Sequence, residues 1–139
     1  MHLDSHTVLQ ELEPAECLRL INTQHVGRVA FEDVDGPVVL PVHFALVQRL
    51  VVVRTAAGSW FDRAIRSRRV AFEVDSLDPG YHAGWSVMGR GRARGLEEYM
   101  ATGHLPELDL RPWALTDPPG WVGIDLDELS GRRIVQILT

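Results

Sequence analysis

The chain has 139 residues, 45% apolar and 24% charged, a composition that excludes a disordered protein and fits one domain over 1–139. The formal charge of −5 argues against nucleic acid as a partner, because nucleic-acid-binding domains are usually basic. No apolar run approaches the ~20 residues that span a bilayer, and the N-terminus lacks signal-peptide features, which argues against a membrane partner. The single cysteine, Cys17, cannot form an internal disulfide and indicates a reducing, cytoplasmic location.

The predicted elements begin with a helix and continue as a run of strands. An N-terminal arm over 1–12 precedes the helix, which we place over 13–24 because Pro14 suits a first helical position. After Gly27 the apolar period changes from near 3.6 to 2, which indicates half-buried strands. The first three strands are predicted over 28–32, 38–46 and 50–55, with turns at Asp35-Gly36 and 47–49. Three consecutive strands with short turns predict an antiparallel meander.

The second half of the chain predicts another short helix and four more strands. Ser59 is the expected N-cap of a helix over 60–67. The further strands are predicted over 70–74, 85–96, 121–127 and 132–138, with a loop over 76–84, a helical turn over 97–101 and a turn at Ser130-Gly131. Residues 104–120 contain four prolines and predict an irregular connection. The fold class is therefore mainly β with short helices, a small barrel or sandwich of about six to seven strands.

Several common catalytic and metal-binding motifs do not occur in the sequence. Gly89-Arg90-Gly91 lies inside a predicted strand and lacks the helix that follows a phosphate loop. There is no Gly-x-Ser-x-Gly segment, and the six histidines and one cysteine show no metal-ligand spacing, so we predict no metal site. Cys17, on a short helix, is interpreted as a small buried apolar residue. These features favour a bound organic cofactor or a pure binding role.

Three arginines alternate along the predicted strand 85–96. Arg90, Arg92 and Arg94 all point to one side of this strand. Such a row offers a face for an anionic substrate, but we favour a solvated or inter-subunit salt-bridged face.

Five segments between residues 13 and 96 resemble, in order, those of the pyridoxamine 5′-phosphate oxidase-like family. They are 26–31 (VGRVAF), 37–44 (PVVLPVHF), 53–59 (VRTAAGS), 70–75 (VAFEVD) and 84–93 (GWSVMGRGRA). The resemblance implies a split antiparallel β-barrel of the FMN-binding type, in which two copies form a homodimer with FMN at the interface. It also implies redox chemistry on a small-molecule substrate, with the deazaflavin F420 or haem replacing FMN in some relatives.

The resemblance places the cofactor phosphate at 53–59. A phosphate dianion needs an arginine with hydroxyl and backbone donors near a helix start. The cofactor-binding candidates here are Arg54, Thr55, Ala56, Gly58 and Ser59. A competing interpretation makes Ser59 a plain helix cap and Arg54 a surface residue. Relatives commonly carry lysine after the Gly-Ser pair, whereas this chain has Trp60, and Arg63 and Arg66 could supply the missing charge.

The second predicted strand is the expected platform for the isoalloxazine ring. Pro41 cannot donate a hydrogen bond to a neighbouring strand, which predicts an edge or a bulge with free backbone groups. Backbone groups of Pro41, Val42 and His43 could bond the polar edge of the ring. His43 is also the candidate catalytic residue, as a proton donor, although a structural role fits its position equally well. Trp85 is predicted to stack on the ring or wall off the substrate space, to seal the dimer interface, or to do both.

Three functions are compatible with these residues. The leading hypothesis is an FMN-dependent oxidoreductase that acts on a small molecule, with an F420-dependent reductase as its variant. The second is a non-catalytic module that binds flavin or another planar ligand, which Trp60 at the lysine position favours. The third is a structural dimer whose site is empty.

Overall fold

The computed structural model describes residues 5–80, 83–103 and 119–138. Its elements are β1 (Ser5–Glu11), α1 (Pro14–Ile21), β2 (Val26–Asp33), β3 (Gly36–Val47), β4 (Leu50–Ala56), α2 (Trp60–Ile65), β5 (Arg69–Asp78), β6 (Ala83–Gly95), α3 (Glu97–Thr102), β7 (Pro119–Asp125) and β8 (Glu128–Leu138). Most of the predicted proline-rich connection, 104–118, and residues 1–4 of the predicted arm lie outside the described residues. None of the helices within these ranges combines the length and apolar character that a bilayer crossing requires.

Six strands close into a barrel, and two more extend its sheet. The hydrogen-bonded order β6-β5-β2-β3-β4-β7 returns to β6 through the β6–β7 pairing, and every pair is antiparallel. Residues 84–90 of β6 pair with β8, and β8 in turn pairs with β1. The predicted split antiparallel barrel is therefore confirmed, and so is the meander of β2, β3 and β4.

The barrel interior is filled from alternate positions of its strands. Val29 of β2 and Phe72 of β5 are buried, whereas the residues next to them in each strand, Arg28 and Glu73, lie on the outer face. The Phe72 ring meets Phe44 of β3 edge-on, with ring centroids 4.9 Å apart. This alternation of buried and exposed positions is what the sequence predicted for these strands.

Helix α1 packs against β8 at Gly131, a residue that was predicted to lie in a turn. Cys17 of α1 is completely buried, and burial raises the pKa of its thiol, which confirms it as a small buried residue. A Cβ on Gly131 would lie only 2.7 Å from Cys17 Sγ, so this glycine allows the close approach of the helix. The predicted Ser130-Gly131 turn is wrong, because both residues lie within β8 and the turn falls at 126–127.

Two element boundaries also differ from the sequence predictions. Residues 5–11, expected to belong to an arm, form β1 along β8, so the described residues contain eight strands, of which six form the barrel. The predicted loop over 76–84 is too long, because β5 continues to Asp78 and β6 begins at Ala83. The last three residues of β5 are exposed, and their side chains therefore lack the apolar alternation that marks the rest of the strand.

Candidate functional site

The candidate site lies where β3 and β4 part. Their last residue pair is Phe44–Val53. Beyond this pair, residues 36–43 of β3 continue along β2, whereas residues 54–56 of β4 continue along β7. Among the described residues, the 36–43 edge therefore pairs on one side only. We call residues 41–43 and 54–59 the fork, and the fork contains every predicted cofactor-binding residue except Trp85.

The β3 residues of the fork alternate between core and surface. Val42 is only 4% exposed, so its backbone alone is available to a ligand. Pro41 is exposed and His43 is half-buried, both on the outer side of β3. Trp85 lies in β6, three strands from β3, and packs partly buried against the core. Along the sheet, β5 and β2 lie between the strand of Trp85 and β3.

A buried carboxylate occupies the inside of the turn between β4 and α2. Asp62, in the first turn of α2, is only 4% exposed. Its Oδ1 accepts a hydrogen bond from the Thr55 hydroxyl at 2.5 Å, and its Oδ2 accepts one from the Gly58 N–H at 3.0 Å. Gly58 has a φ of +76°, a backbone conformation that favours glycine. Two of the predicted phosphate donors therefore point inwards, towards an anion of the chain itself.

Ser59 caps helix α2, which confirms the predicted helix start. Its Oγ accepts a hydrogen bond from the Asp62 N–H at 3.2 Å. The spacing Ser59-x-x-Asp62 is that of a capping box, in which the carboxylate reaches back to a backbone N–H at the helix start. Here that N–H belongs to Gly58. Asp62 is not among the site residues predicted from the sequence, and this four-residue pattern is the signal that would have found it.

Arg66 connects Asp62 to α3. Its Nε and Nη2 donate to Asp62 Oδ1 at 3.1 and 3.0 Å, and its Nη1 and Nη2 donate to the two carboxylate oxygens of Glu97. Glu97 also accepts a hydrogen bond from the backbone N–H of Trp121 at 3.4 Å. Arg66, which we considered as a substitute for the missing lysine, is therefore held by two carboxylates. We call Asp62, Arg66 and Glu97 the carboxylate relay.

The carboxylate relay carries a net negative charge. Burial raises the pKa of Asp62, but hydrogen bonds from Thr55, Gly58 and Arg66, with the charge of Arg66, lower it by more and leave it below its ordinary value. The hydrogen bond from Arg66 is the main reason why the pKa of Glu97 is also lowered. Both carboxylates are ionised at neutral pH, so two negative charges and one guanidinium leave the relay with a net charge of −1.

Aromatic residues border the fork on both sides. The guanidinium of Arg54 lies over the Trp121 ring, 5.9 Å from its centroid. Trp60 is 47% exposed and packs against Phe31, with ring centroids 5.8 Å apart. Trp60 therefore adds an apolar surface at the position where the family resemblance predicts lysine. Arg63, one turn further along the chain, is exposed.

The arginine row of β6 is bonded within its own chain. Arg90 pairs with Glu128 at 3.0 Å, and Arg94 pairs with Asp125 at 2.7 Å. Arg92 donates a hydrogen bond to the backbone carbonyl of Ser67. These contacts support the interpretation of a salt-bridged face, with partners inside the chain instead of across an interface.

A second carboxylate cluster lies on the outer face of the sheet. Arg28 of β2 lies opposite Glu73 of β5 and reaches Glu73 at 3.4 Å and Asp75 at 3.3 Å. Burial and the neighbouring Asp75 raise the pKa of Glu73 to about 7, although Arg28 acts in the opposite direction. Near neutral pH, the Glu73 carboxyl is therefore close to its titration midpoint.

Glu73→Gln is expected to stabilise the chain more at pH 8 than at pH 5. The pKa of glutamate in the unfolded chain is about 4.3. The contribution of Glu73 to the free energy of unfolding is therefore fully present below that pH, and it is lost as the pH rises through the folded pKa of about 7. Glutamine does not suffer this loss. The stabilisation caused by Glu73→Gln is larger at pH 8 than at pH 5 by about 1 kcal/mol after allowance for solvent screening, or about 4 °C in Tm.

Thermal melts of the wild type and Glu73→Gln at both pH values measure this difference. Glu98→Gln, at an exposed position of α3, is the matched control and should show none. An equal shift of Tm at pH 5 and pH 8 for Glu73→Gln would contradict the assignment.

Comparison with known proteins identifies the family of the chain. The sequence model of a family described as pyridoxamine 5′-phosphate oxidase matches residues 13–133. The chain belongs to this family. A relative in Mycobacterium tuberculosis, the uncharacterized protein Rv0080, is 32% identical over 130 residues, which are 90% of this chain and 85% of that protein. The resemblance stated from five segments is confirmed, and the match extends beyond residue 96.

Two solved structures share the fold of this pyridoxamine 5′-phosphate oxidase family member. A FAD binding protein from Mycobacterium smegmatis is 28% identical, with a TM-score of 0.74 over 88% of this chain and 95% of that one. A protein of unknown function from Corynebacterium diphtheriae, DIP1874, is 32% identical, with a TM-score of 0.73 over 91% of this chain and 98% of that one.

Proposed function

We propose that the chain binds a flavin at the fork, with FMN as the predicted form, and acts as an oxidoreductase on a small molecule. The observation that carries this proposal is the parting of β3 from β4 beyond the Phe44–Val53 pair. A flat ring needs hydrogen-bond partners along its polar edge, and the strand edge at 36–43 offers backbone groups for this purpose. The relative at 28% identity, which is named as a FAD binding protein, supports a flavin.

The residues of the fork, together with Arg63 of α2, fit both ends of a flavin. Backbone groups of residues 41–43 would hold the polar edge of the ring. Arg54 at the end of β4, the Ser59 hydroxyl and the exposed Arg63 of α2 would hold the phosphate, because charge-assisted hydrogen bonds from such groups suit a dianion. Thr55 and Gly58 belong to the predicted donor set, but in this structure they bond Asp62.

The protein's contribution to the chemistry is binding, orientation and proton supply. A bound flavin supplies hydride and electron transfer. Trp60, half exposed beside Phe31, would exclude water from one side of the fork. His43 is the first β3 residue beyond the last β3–β4 pair, on the outer side of the strand, and is the proposed proton donor to the substrate.

We also propose a homodimer whose interface is the outer face of β2, β3 and β5. Val26, Val39 and Leu77 lie on this face, and Val39 and Leu77 are 59% and 57% exposed. Large exposed apolar side chains on one face are typical of a contact surface, and here they share that face with the charged Arg28, Glu73 and Asp75. Trp85 is three strands from β3 in its own chain, so a second copy is the arrangement that would let it contribute to the ring site at 41–43.

A flavin-binding module without turnover is the second candidate. Trp60 replaces a lysine common in relatives, and Asp62 holds two of the predicted phosphate donors, features that serve neither phosphate affinity nor catalysis. Reduction of the bound flavin by a nicotinamide donor, followed by reoxidation by a substrate, would support the enzyme. A bound flavin that stays oxidised with every donor would support the module.

Arg54→Ala is expected to weaken FMN binding about tenfold and to leave riboflavin binding unchanged. The substitution removes a charged donor to the FMN phosphate, whereas riboflavin has no phosphate. The visible spectrum of the purified protein, then fluorescence titrations with FMN, FAD, F420 and riboflavin, measure these affinities. F420 binding alone would support the deazaflavin variant of the enzyme.

Arg90→Ala is the matched control, because Arg90 lies on β6 and pairs with Glu128, so its loss should not change FMN binding. A wild-type chain that binds no flavin at about 1 mM would contradict the proposed function. Light scattering on the same sample reports the assembly. A mass of twice 15.6 kDa is expected for the homodimer, and a mass of 15.6 kDa would contradict it.

A further inference from the structure

Asp62 places an anion of the chain against two of the donors predicted for a ligand's phosphate, Thr55 and Gly58. Its carboxylate is bonded by a hydroxyl from Thr55, a backbone N–H from Gly58 and a guanidinium from Arg66. These are the three kinds of donor that proteins use to bind phosphate. The Asp62 side chain is almost fully buried, so the donors inside the turn have an acceptor before any ligand binds.

We propose that Asp62 is a specificity-determining residue, which disfavours a phosphomonoester dianion at the fork relative to the uncharged flavin ring. This inference rests on the proposed flavin site. A phosphate that reaches the turn finds the Thr55 hydroxyl and the Gly58 N–H directed to Asp62, and it must either displace the carboxylate or bind without them. Affinity for the phosphate is lower in both cases.

Charge acts in the same direction as this competition for donors. The single positive charge of Arg66 is shared between Asp62 and Glu97, so it cannot neutralise both. The remaining negative charge lies beside the turn, in surroundings where a like charge within a few ångströms is weakly screened. This negative charge opposes the attraction of Arg54 and Arg63 for a dianion, and it does not act on an uncharged ring.

The turn is open to a ligand on one side and closed by β7 on the other. A Cβ on Gly58 would meet no atom within 4 Å, so a ligand has room there. A Cβ on Gly120 of β7 would lie 2.8 Å from Asp62 Oδ1, so the β7 backbone packs directly against the carboxylate. A phosphate therefore approaches from the Gly58 side, and Asp62 lies behind the donors that it would use.

Asp62→Asn tests the proposal, because it keeps the size of the side chain and removes the charge. We expect the ratio of FMN affinity to riboflavin affinity to rise about tenfold, with riboflavin affinity unchanged. Fluorescence titration measures both ligands. Glu97→Gln is the matched control: it removes one charge from the carboxylate relay but leaves the partners of Thr55 and Gly58 in place, so the ratio should change less than about threefold.

Inorganic phosphate provides a second readout that needs no flavin. A ligand that binds the folded chain raises its Tm, so phosphate should stabilise Asp62→Asn more than the wild type at the same concentration. Two outcomes would overturn the inference and leave the proposed function intact. In the first, Asp62→Asn lowers the affinities for FMN and riboflavin by the same factor. In the second, neither the ratio of the two affinities nor the Tm shift caused by phosphate changes. If no flavin binds but phosphate stabilises Asp62→Asn more than the wild type, the proposed function fails and the selectivity of Asp62 stands.

Discussion

Asp62→Ala is expected to lower the free energy of unfolding by about 3 kcal/mol at pH 7. The substitution leaves the buried Thr55 hydroxyl, the Gly58 N–H and part of the Arg66 guanidinium without their acceptor. Removal of one partner from a buried charged network is costly, because the groups left behind do not regain their hydration. The turn that carries the proposed phosphate donors loses its internal support at the same time.

The loss caused by Asp62→Ala should depend on pH in a defined direction. The pKa of Asp62 lies below its ordinary value, so the stability that it contributes is present above about pH 4 and is lost as the pH falls through the folded pKa. Urea unfolding at pH 7 and pH 3 should therefore show a smaller loss at pH 3. An equal loss at both values would contradict a charge-based role.

Glu13→Ala is the matched control for Asp62→Ala. Glu13 is also an acidic residue at a helix start, but it is exposed and its side chain caps no backbone N–H of α1. The free energy of unfolding should change by less than about 0.5 kcal/mol, as is usual for a surface substitution. A loss comparable to that of Asp62→Ala would show that negative charge at a helix start, and not the buried network, is responsible.

Strands β2, β5 and β6 could be predicted because buried and exposed residues alternate along most of their length. In β4, Val51, Val52 and Val53 are all buried, and the strand was predicted from its β-branched residues instead. β1 could not be predicted, because its described apolar side chains, Val8 and Leu9, are exposed and give no such alternation. The Ser130-Gly131 pair misled for a different reason. Glycine marks turns and close contacts alike, and only the packing of Cys17 against Gly131 distinguishes the two.

The sequence predicted the start of α2 at Ser59, which the structure confirms, but not the hydrogen bonds of the turn before it. The residue types at 54–59 predict a phosphate-binding turn, and this assignment stays a prediction. Whether a donor is available depends on contacts that are distant in sequence, such as that of Thr55 with Asp62, seven residues away, and that of Arg66 with Glu97, 31 residues away. The sequence pattern Ser59-x-x-Asp62 predicts the capping role of Asp62, but no local pattern predicts the pairing of Arg66 with Glu97.

Gly91→Ala is expected to lower the free energy of unfolding by about 3–4 kcal/mol, because Gly91 lies where β6 exchanges one partner strand for another. Residues 84–90 of β6 pair with β8, and residues 93–95 pair with β7. A Cβ on Gly91 would lie 1.7 Å from the carbonyl oxygen of Asp125, at the end of β7. The obstacle is backbone, so no side-chain rotation relieves it.

Relief of this clash requires the segment that joins β7 to β8 to move away from β6. That movement would break the hydrogen bond from the Asp127 N–H to the Arg90 carbonyl, 2.9 Å long, and would open the barrel where β7 closes it. Gly80→Ala is the matched control, because its Cβ would lie at an ordinary 3.4 Å from Asp78 Oδ1, and it should cost less than about 0.5 kcal/mol. Urea unfolding of both variants measures the difference. Equal stabilities would show that β7 does not close against β6 at Gly91.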